Sequence, residues 1–96
     1  MKEGIALKPV DFRIEKVYPN PFNSNVRIDY RLGKLSDVAI SVFDLSGRRI
    51  TNDIRKAVQA GVHSYSYDAS ALPSGIYMVR MRAGAVTRTV KIVCVK

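Results

Sequence analysis

The clearest pattern in the chain is the alternation of apolar and charged residues over residues 26–32 (VRIDYRL). In an extended chain this spacing places four apolar side chains on one side and three charged side chains on the other. Such a period of two is typical of a β-strand that packs one face against a core. The same alternation recurs along most of the sequence, so β-structure is predicted to dominate the fold.

Turn residues divide the chain into seven extended segments. Asp, Ser and Gly in residues 44–47 end one strand, and residues 83–85 (AGA) form a tight turn between the last two. The turns recur at about the 8–12-residue spacing that is typical of a β-sandwich. Residues 56–59 offer at most one turn of helix. The predicted strands are residues 12–17, 26–32, 38–43, 48–55, 63–67, 76–82 and 86–95.

Seven strands without a convincing helix predict an all-β, immunoglobulin-like sandwich of two antiparallel sheets. A chain of 96 residues has room for one small domain, which we assign to residues 10–96, with residues 1–9 as a linker. Period-two placement assigns both aliphatic and aromatic residues to the core. The predicted core includes Phe22, Val26, Ile28, Tyr30, Val42, Tyr67, Tyr77 and Val79.

The charge balance is basic, with 16 Lys and Arg against 8 Asp and Glu and a formal net charge of +8. All the acids lie at or before Asp68, so the C-terminal third is purely basic. Its charges alternate with apolar residues, which favours a solvated strand face over a nucleic-acid surface. We therefore expect no specific nucleic-acid partner, and no membrane insertion because no apolar run approaches the roughly 18 residues of a span. The alternative is a nucleic-acid site built from Arg80, Arg82, Arg88 and Lys91.

No group of residues predicts an active site, a metal site or a cofactor. His63 is the only histidine, and it lies on the same strand face as Tyr65 and Tyr67, where a partly buried structural role is expected. The single cysteine, Cys94, has no partner for a disulfide or a zinc site and is expected to pack as a small hydrophobic residue. The carboxylates are scattered over strands and turns, with Asp44 and Asp68 expected to cap turns. Those within the predicted domain are Asp11, Glu15, Asp29, Asp37, Asp44, Asp53 and Asp68.

An aromatic platform for sugar rings is a second possible binding site. Tyr65, Tyr67 and Tyr77 supply the aromatic side chains that such a platform needs. Their period-two placement favours the core, and the chain contains no tryptophan. A carbohydrate-binding module therefore stands as the alternative function.

One segment is unusually specific, namely residues 18–23 (YPNPFN), in which two prolines restrict the backbone to a rigid corner. It is followed in order by further motifs. They are VxIxY at 26–30, VFDLSGR at 42–48, YDASxLxxGIY at 67–77 and KIV at 91–93. With these motifs, residues 12–96 resemble the C-terminal sorting domain (type A) of the type IX secretion system. The immunoglobulin-like domain of flagellar hook-capping proteins shares some of them and is the alternative family.

The resemblance implies a secretion signal rather than an enzyme. Its expected partners are the type IX machinery and a cargo protein fused at the N-terminus, which is carried from the periplasm across the outer membrane to the cell surface or the medium. The alternative is a carbohydrate-binding or structural accessory module of a secreted enzyme. By similarity, the residues of the recognised signal are Gly75, Tyr77, Gly84, Lys91 and Lys96.

Physical chemistry supports two interpretations of these five residues. A terminal strand with an accessible edge and exposed lysines can be bound by strand addition together with charge pairing. Alternatively, Gly75 is only a turn residue, Tyr77 a core residue, and Lys91 and Lys96 charges that keep an edge strand from aggregating.

Overall fold

The computed structural model describes residues 12–96, and within this range the protein is entirely β-structure. The sequence-based assignment of residues 1–9 to a linker lies outside the described residues. Among residues 12–96 no helix is long and apolar enough to cross a membrane. The strands are β1 (Arg13–Tyr18), β2 (Asn25–Leu32), β3 (Ser36–Asp44), β4 (Arg49–Val58), β5 (Gly61–Asp68), β6 (Gly75–Ala83) and β7 (Val86–Cys94).

The strands form two antiparallel sheets that pack as a β-sandwich. One sheet has three strands in the order β1-β2-β5, and the other has four in the order β4-β3-β6-β7. All seven predicted strands are present, and both antiparallel sheets are confirmed. β2 is central in its sheet, which explains its clean alternation, because each apolar residue faces the opposite sheet and each charged residue faces solvent.

The core lies between the sheets and is aliphatic at its centre. Ile28 of β2, Ile40 of β3, Met81 of β6 and Ile92 of β7 have no exposed surface. The prediction of the core is confirmed for Phe22, Val26, Ile28, Tyr30, Val42, Tyr77 and Val79, all of them buried. Tyr67 departs from it, because this side chain is only half buried at the margin of the core, where its hydroxyl lies 3.1 Å from the Thr51 hydroxyl.

The possible helical turn at residues 56–59 was wrong, since β4 continues to Val58. Ala57 takes the left-handed conformation (φ 51°) inside this strand, and its amide donates to Asp37 at 2.9 Å. The Asp37 carboxylate thereby gives the Ala57 amide a hydrogen-bond acceptor at the point where the strand is irregular. The register between β3 and β4 also shifts here.

Two aspartates cap turns, as expected from the sequence. Asp44 accepts hydrogen bonds from the amides of Ser46 and Arg48 at 2.9 and 3.0 Å, which closes the turn between β3 and β4. Asp68 accepts from the Ser70 amide at 3.0 Å and so begins the connector from β5 to β6. These hydrogen bonds hold the pKa of each carboxyl below its usual range, led by the Ser46 hydroxyl for Asp44 and by the Ser70 amide for Asp68.

Candidate recognition surface

The terminal hairpin consists of β6, β7 and a two-residue turn. Ala83 pairs with Val86 across the turn, and the register continues without a break to Gly75 opposite Cys94. Gly84 has a left-handed backbone (φ 60°), which glycine adopts without strain. The turn is exposed and borders an apolar cavity of about 130 Å³ beside Phe12 and Leu32.

Gly75 and Tyr77 open β6 and lie near each other, but only Gly75 is exposed. The Tyr77 ring is buried, and its hydroxyl donates to the Pro73 carbonyl at 2.7 Å. A Cβ at Gly75 would lie 3.8 Å from this ring, which is ordinary van der Waals contact. The tyrosine therefore fastens the connector from β5 to the start of β6.

Lys91 and Lys96, which the sequence treats alike, have different environments. Lys91 is exposed on the outer face of β7, opposite Met78. The Lys96 ammonium instead donates to the carbonyls of Ala69 and Ser70 at 3.0 and 3.2 Å, while its amide donates to the Ser74 hydroxyl at 2.8 Å. Lys96 thus holds the connector between β5 and β6 against the residues that follow β7.

The lower half of the β7 edge is covered by the corner at residues 19–22. The Asn20 side chain donates to the Lys91 carbonyl at 3.2 Å and accepts from the Val93 amide at 2.9 Å. Beyond it, the backbone of Phe22 donates to the Val93 carbonyl and accepts from the Val95 amide, at 2.9 and 2.8 Å. The corner therefore supplies a short parallel strand that satisfies this part of the edge.

The upper half of the same edge is open. In an antiparallel pair, alternate residues direct their backbone groups away from the partner strand. On β7 these include Thr87, Thr89 and the amide of Lys91, and among the described residues no backbone of another strand pairs with them. Here β1 comes close without pairing, and the contact is made by a side chain, since the Arg88 Nε donates to the Phe12 carbonyl at 2.9 Å.

The outer face of the four-stranded sheet is basic. Arg80 and Arg82 of β6 lie opposite Thr89 and Thr87, beside the row that contains Lys91, and Arg49 approaches from β4. We call these four residues, Arg49, Arg80, Arg82 and Lys91, the basic face. The sequence-based cluster included Arg88, but this residue lies opposite the buried Met81 and reaches toward Phe12 instead.

Sequence reasoning missed two members of this region. Arg49 joins the basic face only because β4 lies beside β3 in the sheet, and strand order is not encoded in local periodicity. The role of Asn20 had a signal, since an asparagine held between two prolines is positioned to substitute for a strand. Its partners on β7, however, are more than 70 residues away in sequence.

The structure does not form the aromatic platform of the alternative hypothesis. Tyr65 and Tyr77 are buried in opposite sheets, and Tyr67 is only half exposed at the margin. Burial, together with a hydrogen bond to Asp53, raises the pKa of the Tyr65 hydroxyl, which is a property of a core residue. His63 is likewise structural, with its Nε2 2.7 Å from the Gln59 carbonyl oxygen and its ring against Tyr30.

The fold and this surface define a small β-sandwich with a basic outer face and, among the described residues, an edge strand that is paired over only half of its length. The model of the secretion system C-terminal sorting domain family matches residues 16–96, and the chain belongs to this family. The domain is a C-terminal sorting signal for type IX secretion. This family membership favours a non-catalytic role, interaction with the type IX machinery and export to the cell surface or the medium. No curated protein matches the chain.

Proposed function

We propose that residues 10–96 form the sorting domain and that the secretion machinery recognises its terminal hairpin. The cargo is joined N-terminally and is carried from the periplasm across the outer membrane. The observation that supports this proposal is the open upper half of the β7 edge, which lies beside an exposed lysine and an exposed turn. Unpaired backbone groups on an edge strand are a template for another chain.

We assign the five signal residues, which lie in the hairpin or directly after it, to two roles. Gly84 and Lys91 are exposed and contact the machinery directly. Gly75, Tyr77 and Lys96 hold the shape of the signal, because Tyr77 and Lys96 both donate hydrogen bonds to backbone carbonyls of the β5–β6 connector.

The first experiment is a transfer of export. A periplasm-targeted reporter fused to residues 12–96, in a host with type IX machinery, should reach the cell surface or the medium. Deleting residues 86–96 should stop export. Because that deletion removes all of β7 and part of the core, it must be accompanied by substitutions that leave the fold intact.

The sharper experiment separates the two lysines. Lys91→Glu reverses an exposed charge and should change stability by less than about 0.5 kcal/mol while retaining the reporter in the periplasm. Lys96→Met keeps the apolar stem but loses two hydrogen bonds, at a cost of about 1 kcal/mol, so its export should recover at lower temperature.

Full export of a folded Lys91→Glu fusion would contradict the assignment of a contact to Lys91. A Lys96→Met fusion that is folded but still retained at low temperature would move Lys96 into the contact group. The double variant of Lys91→Glu and Lys96→Glu then tests the lysines together. Its full export, with unchanged thermal stability, would show that the machinery recognises another region, such as residues 75–77.

A further inference from the structure

The charges of the basic face have no acidic partner among the described residues. Within residues 12–96, none of its four side chains has a carboxylate partner within 4.0 Å. The rows of side chains that cross this face explain why. From β4 to β7 they read Ile54-Ala39-Arg82-Thr87 and Asn52-Ser41-Arg80-Thr89, with no acidic residue in either row.

Two of the arginines are positioned by the sheet itself. The Arg80 guanidinium lies over the Phe43 ring, 4.6 Å from its centroid, and the Arg82 Nε donates to the Gly84 carbonyl at 3.4 Å. Stacking leaves the edge of the Arg80 guanidinium free to donate hydrogen bonds.

Between the arginines lies a shallow depression of about 350 Å³. Ser41 and Asn52 line it, and the Ser41 hydroxyl donates to the side-chain oxygen Oδ1 of Asn52 at 3.1 Å. This hydrogen bond leaves the amide nitrogen of Asn52 as a further donor. A depression lined by guanidinium and amide donors fits carboxylate oxygens, which accept two parallel hydrogen bonds from one arginine.

We propose that the basic face binds an acidic, extended segment of a partner protein, which pairs along the open upper half of β7 and directs its carboxylates over Arg80 and Arg82. The inference rests on the proposed recognition of this edge and adds the chemistry of the partner. A strand added beside β7 would lie roughly 10 Å from β6, twice the usual spacing between strands. Only Thr87 and Thr89 stand between, so arginine and glutamate side chains can span this distance.

A peptide fits this surface better than a nucleic acid does. The backbone amides of Thr87 and Thr89 and the carbonyl of Thr89 offer the pairing that an extended peptide needs, while the Thr87 carbonyl accepts a long hydrogen bond of 3.5 Å from Arg88. Single-stranded nucleic acid needs exposed aromatic faces for its bases, whereas the one aromatic ring of the basic face, Phe43, is already covered by Arg80. The four cations also extend over three strands, which favours a ligand with several carboxylates over a single anion.

The test is a titration of the purified chain with a defined probe. The probe is a fluorescent eight-residue peptide in which Glu alternates with Thr, blocked at both ends, and the control peptide carries Gln in place of Glu. Anisotropy at low ionic strength should show binding of the Glu peptide only, and this binding should weaken severalfold at about 0.15 M salt, where the Debye length falls to about 8 Å.

Matched variants locate the site. Arg80→Gln with Arg82→Gln should weaken binding of the Glu peptide by about tenfold or more, because it removes the two forked donors. Arg27→Gln with Lys56→Gln lowers the net charge equally, but both residues pair with carboxylates on strands that do not adjoin β7, so binding should change by less than about twofold. Arg80→Lys with Arg82→Lys keeps the charge without the fork and should give an intermediate loss. Circular dichroism melts establish that each variant is folded.

Three results would overturn the proposal. One is an equal loss of affinity in both charge-matched double variants, which would mean that the peptide senses only net charge. Another is no binding of the Glu peptide by the folded chain. The third is tighter binding of a single-stranded RNA oligomer that is lost with the same two arginines, which would make the basic face a nucleic-acid site.

Failure of this inference differs from failure of the proposed function. The reporter fusion with Arg80→Gln and Arg82→Gln should be retained in the periplasm if the acidic segment belongs to the machinery. Export of that fusion at the level of the unsubstituted one, with export still lost in Lys91→Glu, would overturn the inference and leave recognition of the terminal hairpin intact.

Discussion

The outer faces of the two sheets both carry arginines, but only the face of the three-stranded sheet places carboxylates beside them. On the three-stranded sheet, Glu15 accepts from Arg31 and Arg13 at 2.9 and 3.2 Å. Asp29 on the same face accepts from the Ser64 hydroxyl at 2.6 Å and from Arg27 at 3.2 Å. The basic face of the four-stranded sheet has no such acceptors among the described residues. Charges that satisfy one another stabilise their own sheet, whereas unpaired charges are available to a partner.

The difference between the two outer faces exists only while the two sheets are packed together. The largest expected loss of stability therefore comes from weakening the contact between the sheets at Phe22. Phe22 is buried, and its backbone pairs with β7. Phe22→Ala should lower the free energy of unfolding by about 3–5 kcal/mol, the usual cost of removing a buried aromatic ring. Urea denaturation measures it. Phe43→Ala makes the same change on the basic face, where the ring is partly exposed, and should cost less than half as much. Equal losses of unfolding free energy in the two variants would mean that Phe22 does not stabilise the packing of the sheets more than an outer-face ring does.

Removing an acceptor from the paired face should have a smaller but clear effect. Asp29→Ala leaves the Ser64 hydroxyl, Arg27 and the Tyr18 hydroxyl without their shared carboxylate, so the melting temperature should fall. Arg82→Ala on the basic face removes no such group and should leave the melting temperature nearly unchanged. Calorimetry compares the two, and a larger fall for Arg82→Ala would reverse the contrast.

The two faces should also respond differently to acid. The hydrogen bond from Arg31 to Glu15 and the one from the Ser64 hydroxyl to Asp29 hold the pKa of each carboxyl below its ordinary value, 4.5 and 3.8 respectively. A carboxyl with a lowered folded-state pKa stabilises the fold fully above its ordinary pKa, and this stabilisation is lost as the pH falls through the lowered value. Stability should therefore decrease below about pH 4.5, through the titration of both groups.

Variants separate the faces in the same measurement. Glu15→Gln with Asp29→Asn should flatten the dependence of the melting temperature on pH in the acid range. Arg80→Gln with Arg82→Gln should leave a curve parallel to that of the unsubstituted chain, because no carboxyl on the basic face loses a partner. Acid curves of equal slope for the unsubstituted chain and the carboxyl variant would show that other groups control the pH response.

The smallest expected change in stability is at Lys91. Its side chain is exposed, and Lys91→Ser should alter the free energy of unfolding by less than about 0.5 kcal/mol. Chemical denaturation measures this, alongside the loss of affinity for the Glu peptide. A destabilisation of more than about 1 kcal/mol would mean that Lys91 supports the fold as well as recognition.

The sequence predicts the strands well because most have a period of two, and it shows that the last two strands contain no acid, but it does not show which charges meet across strands. Residues 26–32 (VRIDYRL) and 79–82 (VRMR) both alternate apolar and charged positions. Arg27 finds Asp29 on its own strand, but Arg31 finds Glu15 only because β1 flanks β2. The neighbours of β6, β3 and β7, instead place small and hydroxyl-bearing residues beside Arg80 and Arg82. Strand order decides the difference, and strand order arises from contacts between distant residues.

The five residues proposed as the signal illustrate the same limit. The family resemblance groups them together, but their surroundings differ: Tyr77 is buried against the core, Lys96 is bonded to backbone carbonyls, and Gly84 and Lys91 are exposed. The local sequence AGA predicts the tight turn at residues 83–85 and so the need for a glycine at Gly84. It contains no information about the carbonyls of Ala69 and Ser70 that receive the Lys96 ammonium.

The corner at residues 19–22 makes the surface of β7 dependent on the folded state of the domain. Asn20 and Lys91 are separated by 71 positions, and their contact closes a long loop at an entropic cost that the packed domain offsets. The boundary between the covered and open halves of β7 is therefore a property of the folded domain. A receptor that binds the open half of β7 only when the corner already covers the other half would distinguish a folded sorting domain from an unfolded one. This selection would need no separate proofreading factor.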